Sequence, residues 1–169
     1  MTVEIRRAGP GEEAAVSALL AEVWHATHDA QLGHDKVAKI TAKWHAPALL
    51  RAQIEDPGKC FLVAEAGGGE LVGHAISWLD EDTAINLLRL YVLPSMQGRG
   101  LGGRLLRAAV AAWPGGHLLR LEVQALNAPA IRFYEGQGLR VIGDTAERGG
   151  FTDIPALVME RRLPFEDPA

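Results

Sequence analysis

Hydrophobic and polar positions change their period several times along the 169-residue chain. Residues 3–8 alternate as a strand does, whereas the apolar residues that follow Glu12 and Glu13 recur at helical spacing. Residues 25–56 are predicted to be largely helical, with Pro47 and Pro57 as stops. The first third of the chain is therefore predicted to form one strand and two helices.

Beyond residue 59 the pattern predicts six strands and two helices. The predicted strands are residues 60–66, 70–78, 85–93, 118–123, 139–144 and 154–163, and the predicted helices are residues 101–113 and 128–137. The order β-α-α-β-β-β-α-β-α-β-β is typical of the α/β (α+β) class with a mixed central sheet flanked by helices. We expect one domain over residues 1–169.

Composition and charge restrict the function. Apolar residues make up 48% and charged residues 22%, which is ordinary for a globular protein. The net charge of −4 argues against nucleic acid as the partner. Cys60 is the single cysteine, so an internal disulfide and a cysteine-rich metal site are excluded. No apolar run approaches the roughly 18 residues that span a bilayer, and we expect a cytoplasmic protein that does not bind membranes.

A glycine-rich turn follows the strand predicted at 85–93. Gly98, Gly100, Gly102 and Gly103 lie where this turn opens the next predicted helix. Because glycine leaves the backbone unobstructed, successive N–H groups can converge there on an anion. The helix N-terminus adds unpaired N–H groups and partial positive charge. The pattern predicts a diphosphate site, with a glycine-rich helix entry that binds nothing as the alternative.

Two other glycine loops compete for this stretch. Gly98-x-Gly100-x-x-Gly103 matches the dinucleotide fingerprint, and Glu122 follows near the expected spacing. However, residues 94–97 separate the strand from the glycines, and the chain after Glu122 holds too few elements to complete a doubly wound sheet. The absence of Gly-Lys-Ser/Thr excludes the nucleoside-triphosphate loop.

The pattern Gln97-x-x-Gly100-x-Gly102 resembles the acetyl-CoA signature of the GNAT superfamily of N-acetyltransferases. The resemblance implies that acetyl-CoA is the co-substrate and that the loop binds its diphosphate. It also implies a bulge that splays two strands apart for the pantetheine, with backbone N–H groups beside it that polarise the thioester. The cofactor-binding residues implied are Leu90, Tyr91, Val92, Gln97, Gly98, Arg99, Gly100, Leu101, Gly102, Gly103 and Asn127.

The stretch from Leu121 to Leu139 resembles the second GNAT motif. Asn127 suits a helix N-cap, and in the family the matching residue also bonds the cofactor. The resemblance makes Tyr134 the general acid that protonates the departing thiolate. A tyrosine that merely packs in the core is the alternative. Leu139 departs from the usual aromatic residue, which changes packing more than chemistry.

Glu122 is the candidate general base. It alternates with Leu121 and Val123, which points it to the opposite face of its strand. An alkyl amine with a pKa near about 10.4 must lose a proton before it attacks. This glutamate also resembles the base of ribosomal-protein N-terminal acetyltransferases. The alternative is a solvated or arginine-paired glutamate. Asn86 stands where some histone-acetylating relatives carry a catalytic glutamate, which argues against that variant.

Four histidines invite a metal hypothesis, namely His25, His28, His34 and His45. Their spacings match no ligand motif, and no cysteine or carboxylate stands in register with them, so we expect no metal. In the superfamily this helical region forms a wall of the acceptor pocket, which makes His25 and His28 possible substrate contacts. His74 is a minor candidate, and Trp24 and Trp44 are expected in the core or pocket wall.

The acceptor is expected to be a primary amine. Residues 22–29 and 147–153 look similar to bacterial polyamine acetyltransferases, and a protein N-terminus or an aminoglycoside are the other options. Five acidic residues could bind a cationic amine or could be solvated turns: Asp29, Asp35, Asp80, Glu81 and Asp82. A non-catalytic acyl-CoA sensor on the same fold is the alternative function. Dimerisation is common in the superfamily, so a homodimer is possible.

Overall fold

One mixed sheet organises the molecule. The computed structural model describes residues 2–145 and 154–166, and its strands lie in the order β1-β2-β3-β4-β5-β7-β6. The strands are β1 (Val3–Arg7), β2 (Cys60–Ala66), β3 (Leu71–Leu79), β4 (Ala84–Val92), β5 (Leu118–Gln124), β6 (Arg140–Thr145) and β7 (Ala156–Arg162). Within the described residues, neighbouring strands are antiparallel except β4 and β5, which are parallel. The predicted fold class is confirmed.

The helices differ from the prediction at one place. They are α1 (Glu13–Leu32), α2 (His34–Trp44), α3 (Pro47–Glu55), α4 (Leu101–Ala111) and α5 (Ala128–Gly136). Three helices, not two, separate β1 from β2. Pro47 was expected to stop a helix and instead begins α3, because its missing N–H and fixed φ suit a first turn. None of the described helices is both long and apolar enough to cross a bilayer.

The two faces of the sheet carry different helices. Alternation along β2 sends Leu62 to the face where α4 packs with Leu105, and Phe61 to the face where Leu20 of α1 and Leu50 of α3 pack. Tyr134 of α5 belongs to the α4 face. A third cluster joins α1 to α2 through Trp24, Val37 and Ile40 and includes Ile154. Helices from the N-terminal third of the chain thus cover the α1 face.

The sheet opens between its two parallel strands. Pairing of β4 with β5 runs only from Ala84–Leu118 to Leu87–Leu121, although both strands continue beyond it. Leu88 is an extra residue in the β3–β4 ladder, because Ile76 pairs with Arg89 while the next residue pairs with Leu87. This bulge turns the second half of β4 away from β5. The predicted splayed strand pair is present.

Candidate functional site

A loop at the end of β4 presents a row of backbone N–H groups. After the 3-10 turn Pro94–Met96, residues 97–103, called the phosphate loop here, enter α4. Gly98 and Gly100 have φ of +74° and +78°, in the left-handed region that glycine adopts without strain. Within the described part of the chain, no acceptor bonds the N–H groups of residues 98–103. These groups fit a diphosphate, as the sequence predicts.

Neighbouring side chains hold the phosphate loop in place. The Gln97 side-chain amide donates to the Val92 carbonyl oxygen at 3.0 Å, which ties the loop to the end of β4. Gly102 lies against Phe133 of α5, and a Cβ at this position would come within 3.3 Å of that ring. Leu101 is buried, so its backbone alone faces outward, whereas Arg99 is exposed at the tip of the loop. The motif residues therefore divide into anchors and groups that can reach a ligand.

Asn127 caps α5. Its side-chain oxygen accepts the N–H of Ala130 at 3.2 Å, as the sequence predicts for an N-cap. Pro129 lies in the first turn, where no N–H is required. The contact of Asn127 with the co-substrate stays a prediction.

The backbone of β4 turns every second N–H toward the opening. The Leu93 N–H donates to the Val72 carbonyl oxygen on β3 at 3.0 Å. Because the N–H groups of a strand alternate in direction, that of Tyr91 also faces β3, while those of Leu90 and Val92 face the side that β5 has left. Among the three predicted residues, Leu90 and Val92 can thus offer backbone N–H groups, and Tyr91 only its side chain.

Tyr134 lies beside this opening. It is 7% exposed, and no hydrogen bond to its hydroxyl occurs among residues 2–145 and 154–166. Burial raises the pKa of Tyr134, and the neighbouring Tyr91 raises it further. The Tyr91 hydroxyl is occupied, because it accepts the indole N–H of Trp24 at 3.1 Å. Tyr134 is therefore a protonated phenol that no other described side chain binds.

Glu122 occupies the predicted face of β5. Leu121 and Val123 are buried in the α4-face core, and the half-buried Glu122 points away from them. Its Cα partner on β7 is Val158, so it lies one residue beyond the last β4–β5 pair. Its role as base stays a prediction.

Asn86 and the acidic turn stand at the opposite end of β4. Asn86 donates to Asp80 Oδ2 at 2.9 Å, and Asp80 Oδ1 accepts the N–H groups of Asp82 and Ala84. These bonds lower the pKa of Asp80, with that from Asn86 as the first cause. Asp80 therefore stabilises the turn between β3 and β4 through these hydrogen bonds. A surface depression that includes Thr83 also lies at this end of β4, away from the phosphate loop.

Two of the four histidines share a carboxylate. His25 Nδ1 lies 2.7 Å from Asp29 Oδ1, and His34 Nδ1 lies 3.1 Å from Asp29 Oδ2. The two imidazoles stack with centroids 4.3 Å apart. The prediction that no carboxylate stands in register with the histidines is wrong, because the chain turns at Gly33 and brings the start of α2 back over the end of α1. The expected absence of metal stays a prediction.

The other two histidines are buried against tryptophan. His28 lies 4.5 Å and His45 5.9 Å, between ring centroids, from Trp24. Burial lowers the pKa of His28, and it lowers that of His45 to about 3 with help from the charge of Arg89. Trp24 is 1% exposed and packs edge-on against Trp44. Trp24 is thus a core residue, as expected, and His28, which is 2% exposed, packs in the same core.

Sequence reasoning missed a polar group inside the α1 face. Arg89 is 8% exposed, and its Nε donates to His74 Nε2 at 3.2 Å while one terminal nitrogen donates to Gln53. His74 is fully buried, with Nδ1 2.8 Å from the Leu62 carbonyl oxygen. An arginine inside the apolar run Leu87-Leu88-Arg89-Leu90 was the available signal. The predicted acceptor segment at 147–153 lies outside the described residues.

The sequence matches a family model and two mycobacterial relatives. The model of the acetyltransferase (GNAT) family matches residues 21–139. An uncharacterized N-acetyltransferase of Mycobacterium tuberculosis is 31% identical over 112 residues, which cover 65% of this chain and 71% of the relative. The N-alpha-acetyltransferase RimI of the same organism is 34% identical over 100 residues, which cover 57% of this chain and 62% of the relative.

Solved structures share the fold. The PaiA N-acetyltransferase from Thermoplasma acidophilum, solved in complex with coenzyme A, aligns with a TM-score of 0.80 at 21% identity over 96% of this chain and 100% of that chain. The ribosomal-protein-S18-alanine N-acetyltransferase from Escherichia coli aligns with a TM-score of 0.71 at 18% identity over 98% and 97%. At these identities the likeness concerns the fold.

Proposed function

The chain belongs to the acetyltransferase (GNAT) family, whose co-substrate is acetyl-CoA, and on that premise we propose that it acetylates a primary amine by direct attack within a ternary complex. The observation that carries this proposal is the parting of β4 and β5 immediately beyond Leu87 and Leu121. The phosphate loop lies at the end of the same β4, and Tyr134 lies beside the gap. A small amine and a protein N-terminus both remain in this class.

The backbone supplies the donor half of the site. Bound acetyl-CoA supplies an activated thioester carbonyl. The N–H groups of residues 98–103 hold the diphosphate, with Arg99 in reach of its charge. The N–H groups of Leu90 and Val92 face the opening, where they bind the pantetheine arm and polarise the carbonyl.

Two side chains handle protons. Tyr134 donates its phenolic proton to the leaving sulfur, and burial supports this role because it raises the pKa and keeps the phenol protonated. Glu122 accepts a proton from the incoming ammonium group, directly or through water. Its half-buried position, one residue beyond the last β4–β5 pair, supports this assignment.

A thiol-release assay tests the proposal. We expect amine-dependent release of free CoA thiol and a matching acetylated amine by mass spectrometry, in a panel of polyamines, peptides, amino acids and aminoglycosides. Glu122→Gln should lower kcat about 10-fold or more at pH 7 and recover part of it at higher pH, where the amine loses its own proton. Acetyl-CoA binding without release for every amine would contradict the proposal.

A further inference from the structure

Arg89 is a buried cation without a carboxylate. It projects from the middle of β4 into the α1 face, 6.0 Å from the centroid of the Phe61 ring. No ion pair within residues 2–145 and 154–166 includes it. Burial lowers the pKa of Arg89 to about 10, so the guanidinium is still charged at neutral pH. A buried charge without an opposite charge beside it is unfavourable for folding.

Two uncharged neighbours orient the guanidinium but do not neutralise its positive charge. His74 donates through Nδ1 to the Leu62 carbonyl oxygen, so its Nε2 is the acceptor of the Arg89 Nε–H. Gln53 of α3 accepts from Nη2. In the described part of the chain, no acceptor bonds Nη1. Among the described residues, the guanidinium is thus held at Nε and Nη2, and Nη1 is available to another group.

His45 adds a buried polar atom near Arg89. His45 is 3% exposed, and among the described residues its buried Nδ1 has no hydrogen-bond partner. The centroids of the His45 and Tyr91 rings are 6.4 Å apart, and the charge of Arg89 acts on both residues. Buried polar atoms almost always have partners. A missing partner beside an uncompensated cation indicates a place that a ligand completes.

We propose that the acceptor carries a carboxylate besides its amine, and that Arg89, with His45 beside it, binds that carboxylate. The inference rests on the proposed acetyl transfer and narrows its substrate class to amino acids or similar amino-carboxylates. One guanidinium with one neutral imidazole matches a single negative charge, and arginine binds planar carboxylates through paired N–H groups. Tyr91 is two residues further along β4, so a carboxylate at Arg89 directs the amine toward the opening.

Matched amine pairs test this assignment. Each pair contains an amino acid and its decarboxylated amine, such as lysine with 1,5-diaminopentane and phenylalanine with phenethylamine. For wild type we expect kcat/KM to favour the acid at least about 10-fold in one or more pairs, the loss typical of an unmade charged hydrogen bond. Arg89→Met should abolish this preference, and Arg89→Lys should retain part of it. Arg51→Met is the control, since Arg51 is exposed and pairs with Glu13.

A binding measurement separates the two proposals. With CoA bound, benzoate or propionate should raise the unfolding temperature of wild type saturably and leave that of Arg89→Met unchanged. If Arg89→Met does not fold, His45→Phe serves instead, with a raised KM for the acids and a nearly constant kcat. Turnover of amines without any preference for the acid, or a carboxylate effect that survives Arg89→Met, overturns the carboxylate site and leaves acetyl transfer standing. Carboxylate binding without turnover of any amine contradicts acetyl transfer alone.

Discussion

The two sides of the strand opening differ in the groups that they present: backbone N–H groups on one side and side chains on the other. On the donor side, the phosphate loop and the second half of β4 present backbone N–H groups, and the side chains there mostly anchor the loop. On the proposed acceptor side, the polar groups are side chains from several elements: His45 at the end of α2, Gln53 of α3, His74 of β3 and Arg89 of β4. The donor side is continuous in sequence, whereas the acceptor side is assembled from residues far apart along the chain.

This difference separates co-substrate binding, which members of a family share, from acceptor choice, which differs between members. A backbone cradle depends on glycines at fixed spacing, so it binds the same diphosphate in any chain that keeps the motif. Side chains on a sheet face can be exchanged without altering the ladder. The acceptor should therefore vary between relatives while acetyl-CoA does not.

The largest effect is expected where the two sides meet. Tyr134→Phe keeps the ring and removes the acid, so kcat should fall about 100-fold or more while the Kd of acetyl-CoA stays within about twofold. Thiol release at saturating substrates and calorimetric titration with CoA measure the two quantities. Tyr91→Phe is the comparison, because its hydroxyl bonds Trp24 instead. Equal losses of kcat in both variants would remove Tyr134 from the chemistry.

An intermediate effect is expected on the donor side. Gly100→Ala forces an L-residue into a left-handed conformation with φ of +78° and obstructs the cradle, so the KM for acetyl-CoA should rise about 10-fold. Gly68→Ala imposes a similar strain, at φ of +94°, in the β2–β3 turn. Both variants should lose about 1 kcal/mol of unfolding free energy, but the control should keep its KM. A matching rise in KM in Gly68→Ala would attribute the effect to stability alone.

The smallest effect is expected on the acceptor side. It is a change in how the free energy of unfolding depends on pH. The pKa of His45 is lowered to about 3 in the folded chain, from an ordinary value of 6.5, chiefly by burial. The unfolded chain therefore takes up a proton between these values that the folded chain refuses, and stability falls as pH falls. Each such histidine contributes up to about 1.4 kcal/mol per pH unit.

His45→Phe should flatten this dependence by one proton. Urea unfolding at pH 7, 6 and 5 gives the slope for wild type and variant. His28 and His74 also have lowered pKa values, so part of the slope should survive. An unchanged slope in His45→Phe would show that the imidazole is solvated or already charged in the folded protein.

Sequence was a good guide to the fold and to the donor side. The strand and helix ends lie within one or two residues of the prediction at most places, because the hydrophobic period changes sharply there. Pro47 misled the prediction, since a proline that ends one helix and a proline that begins the next look alike in sequence. The orientation of Leu90, Tyr91 and Val92 required the β3 register.

The acceptor side was not predictable in the same way. No spacing rule connects Gln53, His74 and Arg89, which meet only because α3 packs on the α1 face of the sheet, where the side chains of β3 and β4 also lie. The contact of Asp29 with His34 depends on the turn at Gly33, which sequence periodicity does not define. Side chains that converge through tertiary packing leave no local pattern to recognise.

The parallel junction has a mechanical consequence. Strands β1–β4 and strands β5–β7 are joined within the sheet only along the short stretch from Ala84–Leu118 to Leu87–Leu121. Among the described residues, the sheet therefore consists of two half-sheets joined at one end, and α4 belongs to the chain segment that connects β4 to β5. We expect a molecule bound in the gap to supply hydrogen bonds that the two strands do not make with each other, and so to hold the two half-sheets together.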